Sequence, residues 1–167
     1  MGATRRAISA VLAEAGYPPN GDLSVRLEDA YRRISPNAGV SNMLQKMRGA
    51  GTRVVIFSNA NKTMLDESVQ AAGLADLVDG VFSVAPSRVF KPHPGAYSFL
   101  RSIWNKEATE VWLLSSNAWD IAGALAAGLR TCWWNKHGVS FPYGPLEPTR
   151  TVAALSDAPG EVVAEVG

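Results

Sequence analysis

The chain has 167 residues, 47% of them hydrophobic and 19% charged, with 15 glycines, 10 prolines and a net charge of +1. These figures describe one ordinary folded domain, able to bury about 70% of its unfolded surface. They exclude disordered, collagen-like and coiled-coil classes, and the even balance of charge leaves no basic stripe for nucleic acid.

Residues 1 to 40 read as helical. Thr4 can cap a helix whose apolar positions Ile8, Val11, Leu12 and Ala15 recur at helical spacing, and Gly16 with Pro18 and Pro19 stops it. Asp22 can cap a second helix with the stripe Leu23, Leu27, Ala30, Tyr31 and Ile34, ended by Ser35-Pro36. Pro36-Asn37-Ala38-Gly39 reads as a hinge, and Ser41 opens a third amphipathic segment through Leu44 and Met47. The texture then changes. Arg53 to Ser58 is a short apolar run rich in β-branched residues, as expected of a strand buried on both faces. A helix over about 61 to 72, the strand Val81 to Val84, a helix through Tyr97, Phe99, Leu100 and Ile103, and the strand Val111 to Leu114 follow. A helix over about 118 to 127 leads to the strand Arg130 to Trp134, and the tail offers a weak strand, Thr151 to Leu155, before a polar end. Strands alternating with helices imply right-handed crossovers and a parallel sheet, so the fold class is α/β, a Rossmann-like three-layer arrangement.

In such sheets ligands bind beyond the carboxyl ends of the strands. Three of those ends carry polar groups. Ser58-Asn59-Ala60-Asn61 offers a hydroxyl, an amide and the N–H groups of a helix start, which can hold a carboxylate or phosphate. Lys91 sits in the proline-stiffened loop Arg88 to Pro94, and Ser115-Ser116-Asn117-Ala118-Trp119-Asp120 follows a buried strand directly. Taken singly, each reads as a helix cap or a solvated loop lysine; three such coincidences at one rim favour a shared site. His93 reads as a loop histidine and Cys132 as an inert buried thiol. Trp104, Trp112, Trp133 and Trp134 read as packing residues.

The order Ser58-Asn59, then Lys91-Pro92 with Tyr97, then Ser115 through Asp120 resembles the haloacid dehalogenase superfamily, and within it the type II, L-2-haloacid dehalogenase branch. The resemblance spans nearly the whole chain, with residues 1–37 as a remnant of the helical cap and 38–167 as the core. It implies hydrolysis of short (S)-2-haloalkanoic acids through an aspartyl-ester intermediate. By that resemblance Lys91, Ser115, Asn117 and Asp120 are the catalytic set. Lys91 offsets the charge of the nucleophile, Asp120 orients Lys91, and Ser115 and Asn117 hold the nucleophile or water. Ser58, Asn59, Tyr97 and Trp119 complete it, Ser58 and the backbone around Asn59 at the substrate carboxylate, Tyr97 supporting the lysine and Trp119 walling the alkyl and halide pocket.

Ser116 stands where the phosphatase branch carries an acid, so the resemblance implies a metal-free site without cofactor. It also implies a small-molecule substrate and, by analogy, a homodimer. The lone cysteine, with no apolar run near the ~18 residues of a membrane span and no signal sequence, points to the cytoplasm without membrane attachment. The family opens, however, with an apolar strand ending in Asp-x-Tyr-Gly-Thr, and nothing in residues 1 to 57 resembles it. Asp22, Asp29, Asp76 and Asp79 do not follow an apolar strand. The chain therefore reads as an N-terminally truncated member, lacking its first, central strand and inactive as written. A magnesium-dependent phosphatase and a noncatalytic Rossmann-like binding module remain as alternatives.

Overall fold

The computed structural model describes residues 3–163. Its elements in chain order are α1 (Ala3–Glu14), α2 (Asp22–Arg32), α3 (Val40–Gly49), β1 (Val55–Ser58), α4 (Lys62–Ala71), β2 (Gly80–Ser83), α5 (Pro94–Trp104), β3 (Trp112–Ser115), α6 (Ala118–Ala126), β4 (Arg130–Trp134), β5 (Arg150–Val152) and α7 (Ala158–Val163). Every strand pairing is parallel, as the alternation requires: β1 with β2, β3 with β4, and β4 with β5.

The strands form two sheets, β1-β2 and β3-β4-β5, with no ladder between β1 and β3. They nevertheless share one layer. Ile56 of β1 and Leu114 of β3 pack on the same cluster, built from Met43, Leu44 and Met47 of α3, Leu65 and Val69 of α4, and Val162 of α7. Phe57 and Leu113, one residue along, pack on the opposite cluster around Tyr97 of α5 and Ala124 of α6. Successive side chains of a strand point to opposite faces, so both strands lie in the same three-layer plane.

Several local expectations are corrected. The run at residue 53 was expected to be buried on both faces, yet all four residues of β1, and all four of β3, are half-buried. Helices cover their faces, but among the described residues each keeps one strand edge without a partner. Thr4 lies inside α1, and Asp22 is the first residue of α2, behind Gly21 as its N-cap; α3 likewise starts behind Gly39, ahead of Ser41. The stripe of α2 does not face a core: Leu27, Tyr31 and Ile34 are exposed, and the small Ser24 is its buried residue. Of the first helix's stripe only Leu12 is buried, while Val11 is exposed. The tail forms β5 from Arg150 and then α7, a helix not read from the sequence. Residues 1–2 and 164–167, the ends of the two units drawn from the sequence, lie outside the described residues. Among the described residues no helix is long and apolar enough to cross a membrane.

Candidate active site

Lys91 follows β2 in the loop leading to α5, and its ammonium reaches across the break between the sheets. Nζ donates to the Phe57 carbonyl at the end of β1 (3.1 Å) and to Asp120 Oδ2 in the first turn of α6 (2.8 Å). Only 8% of the lysine side chain and 5% of the aspartate side chain are exposed. The second carboxylate oxygen, Oδ1, accepts from the Tyr97 hydroxyl at 2.7 Å. A desolvated pair of this kind adds little net stability, because removing two ions from water offsets their attraction. Its value lies in fixing an ammonium at one point. Each oxygen of Asp120 accepts one of these bonds, which suits an orienting acceptor.

The expectation put the backbone around Asn59 at the substrate carboxylate; the Asn59 side chain itself holds the loop. Its Oδ1 accepts from the Lys91 N–H (2.9 Å) and its Nδ2 donates to the Lys91 carbonyl (3.1 Å). The amide thus straps residue 91 to the end of β1 by satisfying both of its backbone groups. Ser58 Oγ accepts from the Ala60 N–H, and Asn61, not Ser58, caps α4 through the Met64 N–H. Ser115 Oγ accepts from the Asn117 N–H, the same turn device at the end of β3. Ser115 and Asn117 make no direct bond to Lys91, so the structure joins Lys91, Asp120, Tyr97 and Asn59 and sets the other polar groups beside them on the rim. Trp119 is 38% exposed on the first turn of α6.

Burial, then the facing carboxylate of Asp120 and the hydrogen bond to it, pushes the Tyr97 hydroxyl far above its ordinary range. It therefore stays a proton donor, consistent with its bond to Asp120. Phe57 carries the ammonium 5.2 Å from its ring centroid and meets the Tyr97 ring edge-on. Two contributors escaped sequence reasoning. His93 caps α5, its Nδ1 accepting from the Gly95 N–H. Gly123 lets α6 approach the loop: a Cβ there would lie 2.6 Å from Pro92 Cβ and 2.7 Å from the Tyr97 hydroxyl. A glycine inside an apolar helix was the available signal, since it costs stability unless something packs against it. Among the described residues no three His, Cys, Asp or Glu side chains cluster closely enough to hold a metal ion.

Residues 5–128 match the model of the haloacid dehalogenase-like hydrolases. The chain belongs to that family. It is similar to the haloacetate dehalogenase H-2 of Moraxella sp. (strain B), 31% identical over 132 residues, and to (S)-2-haloacid dehalogenase 1 of Pseudomonas sp. (strain CBS-3), 32% identical over 156 residues. These alignments cover 79% and 93% of this chain, and the chain spans 59% and 69% of those relatives. The solved L-2-haloacid dehalogenase of Xanthobacter autotrophicus with chloropropionic acid covalently bound superposes with a TM-score of 0.85 at 27% identity, over 95% of this chain and 73% of that one. The α/β architecture with parallel strands, expected from the sequence, is that of these dehalogenases.

Proposed function

We propose that this chain supplies the lysine–aspartate half of a site that hydrolyses short (S)-2-haloalkanoic acids. The observation that carries the reading is the buried Lys91–Asp120 pair, locked by Tyr97 and Asn59 at the carboxyl end of the sheet. The ammonium offsets negative charge at the place where a carboxylate oxygen would attack carbon 2. That attack forms an ester bond, breaks the carbon–halogen bond and releases halide; water then cleaves the ester to give a 2-hydroxy acid. Ser58 and the rim N–H groups suit the substrate carboxylate, Ser115 and Asn117 suit the water, and Trp119 suits the alkyl and halide groups.

Asp120 is committed to Lys91 and Tyr97, so the purified chain alone is expected to release no halide from (S)-2-chloropropionate. Within this reading, residues 1–37 act as a remnant of the helical cap and 38–167 as the core, with the family likeness favouring a cytoplasmic homodimer. The test is a titration followed by NMR at the Ser58, Ser115 and Asn117 amides. (S)-2-chloropropionate is expected to shift them, whereas a phosphate monoester with magnesium is expected not to. The reverse pattern would favour the phosphatase reading, and silence to both ligands would contradict binding at this rim.

A further inference from the structure

Two residues in the turn between α1 and α2, Asn20 and Gly21, lie outside helix and ladder. They form the chain's one asparagine–glycine pair, since every other asparagine is followed by alanine, methionine or lysine. Asn20 is exposed, and among the described residues its side-chain amide makes no hydrogen bond, whereas those of Asn59, Asn61 and Asn135 bind backbone groups. Gly21 has no Cβ to hold its nitrogen away from the preceding side chain. Its N–H donates to the Pro18 carbonyl across 3.3 Å, beyond the usual range, so that nitrogen is loosely held. The fold does not require glycine at this position. A φ of −83° suits any residue, and an added Cβ would lie 3.4 Å from Pro18 Cβ, an ordinary contact.

We propose that Asn20 is a self-modification site, at which the Gly21 nitrogen closes on the Asn20 side chain and converts its amide into a carboxylate, partly as isoaspartate. The bond from Gly21 N to Asn20 Cγ forms, the Cγ–NH2 bond breaks, and ammonia leaves with the proton of the Gly21 amide. Water then opens the cyclic imide. Cleavage at Cγ gives aspartate; cleavage at the Asn20 main-chain carbonyl gives isoaspartate, whose main chain runs through the side-chain carbons. Amide and water enter and carboxylate and ammonium leave, so the step needs no oxidant or cofactor. The two products act on the hairpin in opposite directions. Aspartate puts a negative charge one residue before Gly21, the N-cap of α2, which makes no side-chain cap, and the helix dipole favours that charge. Isoaspartate lengthens the main chain by one carbon beside two ties of the turn, Ser9 Oγ to the Pro19 carbonyl (3.0 Å) and Gly21 N–H to the Pro18 carbonyl, and loosens both. Asp79-Gly80 is open to the same ring closure but is locked. Asp79 Oδ2 accepts from the Val54 N–H at 2.7 Å, the Asp79 N–H donates to the Val54 carbonyl at 2.7 Å, and Gly80 lies in β2 against Val55.

The test ages the full chain in mildly acidic and mildly alkaline buffer and follows its tryptic fragments by mass spectrometry, with Gly21→Ala as the control. The fragment 7–26 is expected to gain the mass of an NH2-to-OH exchange before any other asparagine-bearing fragment. Its rate should rise about tenfold per pH unit, because the attacking nitrogen must first lose its proton. An isoaspartyl O-methyltransferase with S-adenosylmethionine should label the aged chain on that fragment and leave Asp79 unlabelled. Gly21→Ala is expected to slow the reaction at least about tenfold, since its methyl group obstructs the approach. By NMR, two new sets of amide resonances should appear at Gly21 and Ser24, one for each product, while Ile56 and Leu113 in the strands keep theirs. Earlier reaction at another asparagine, or an equal rate in Gly21→Ala, would overturn the site; an aged chain that takes no methyl label would overturn the isoaspartate. The site does not depend on the haloacid reading, because none of these readouts involves substrate or halide.

Discussion

The two ends of the molecule treat apolar side chains in opposite ways. In the layer around the strands, Tyr97, Val84, Ile121 and Cys132 are fully buried, and among the described residues no buried side-chain nitrogen or oxygen lacks a hydrogen-bond partner. In the α1–α2 hairpin, Val11, Val25, Tyr31 and Ile34 are more than half exposed, although their helical spacing is at least as regular. The difference teaches that periodicity sets which face is apolar, and only a neighbour decides whether that face becomes a core. The layered region packs β1 and β3 between two helix-backed clusters; the hairpin packs on itself and touches the core through α2 and α4, where Arg32 pairs with Glu67.

The comparison predicts a steep ranking of mutational effects. Asp120→Ala would leave the Lys91 ammonium and the Tyr97 hydroxyl without their acceptor, and is expected to cost about 3 to 5 kcal/mol in urea unfolding. A cost below about 1 kcal/mol would place the pair in solvent. Next comes alkali. Burial, aided by the negative charge of Glu161, raises the Cys132 thiol from its ordinary 9.0 to about 11. The unfolded thiol therefore ionises first, so its stabilising contribution is complete below pH 9 and is lost as pH rises to about 11, up to about 3 kcal/mol in all. Thermal melts should show this slope flattening in Cys132→Ala. Gly123→Ala drives a methyl into Pro92 and Tyr97 and is expected to cost about 1 to 3 kcal/mol, with changed near-ultraviolet circular dichroism from the tyrosine. Val25→Ser, on the exposed face of the hairpin, should stay within about 0.5 kcal/mol. A larger loss would mean that face is covered in solution.

Much of this was legible in the sequence. The alternation of strands and helices, parallel pairing and the rim that holds Lys91, Asp120 and Tyr97 followed from apolar runs ending in serine and from the motif order. The task of the Asn59 side chain was not legible, because a short amide after a strand reads alike whether it meets a ligand or, as here, a passing backbone. The buried faces of α1 and α2 were misjudged, since a helical stripe carries no information about the neighbour that would cover it. Residues 158 to 163 were missed as a helix: APGEVV contains proline and glycine, and packing of Ala158 and Val162 on the core overrides that weak propensity. The half-burial of β1 and β3 is a property of two edges left apart, which no local pattern within either strand encodes.

The central claim is that a single ammonium joins the two half-sheets at the candidate site. A double-mutant cycle tests it most directly, comparing Lys91→Met, Asp120→Leu and the double variant by urea unfolding. Each single change is expected to strand a buried charge, and the pair together should recover much of the loss, giving a coupling of at least about 2 kcal/mol. Additive losses, with coupling below about 0.5 kcal/mol, would show that Lys91 and Asp120 do not meet and would contradict the account.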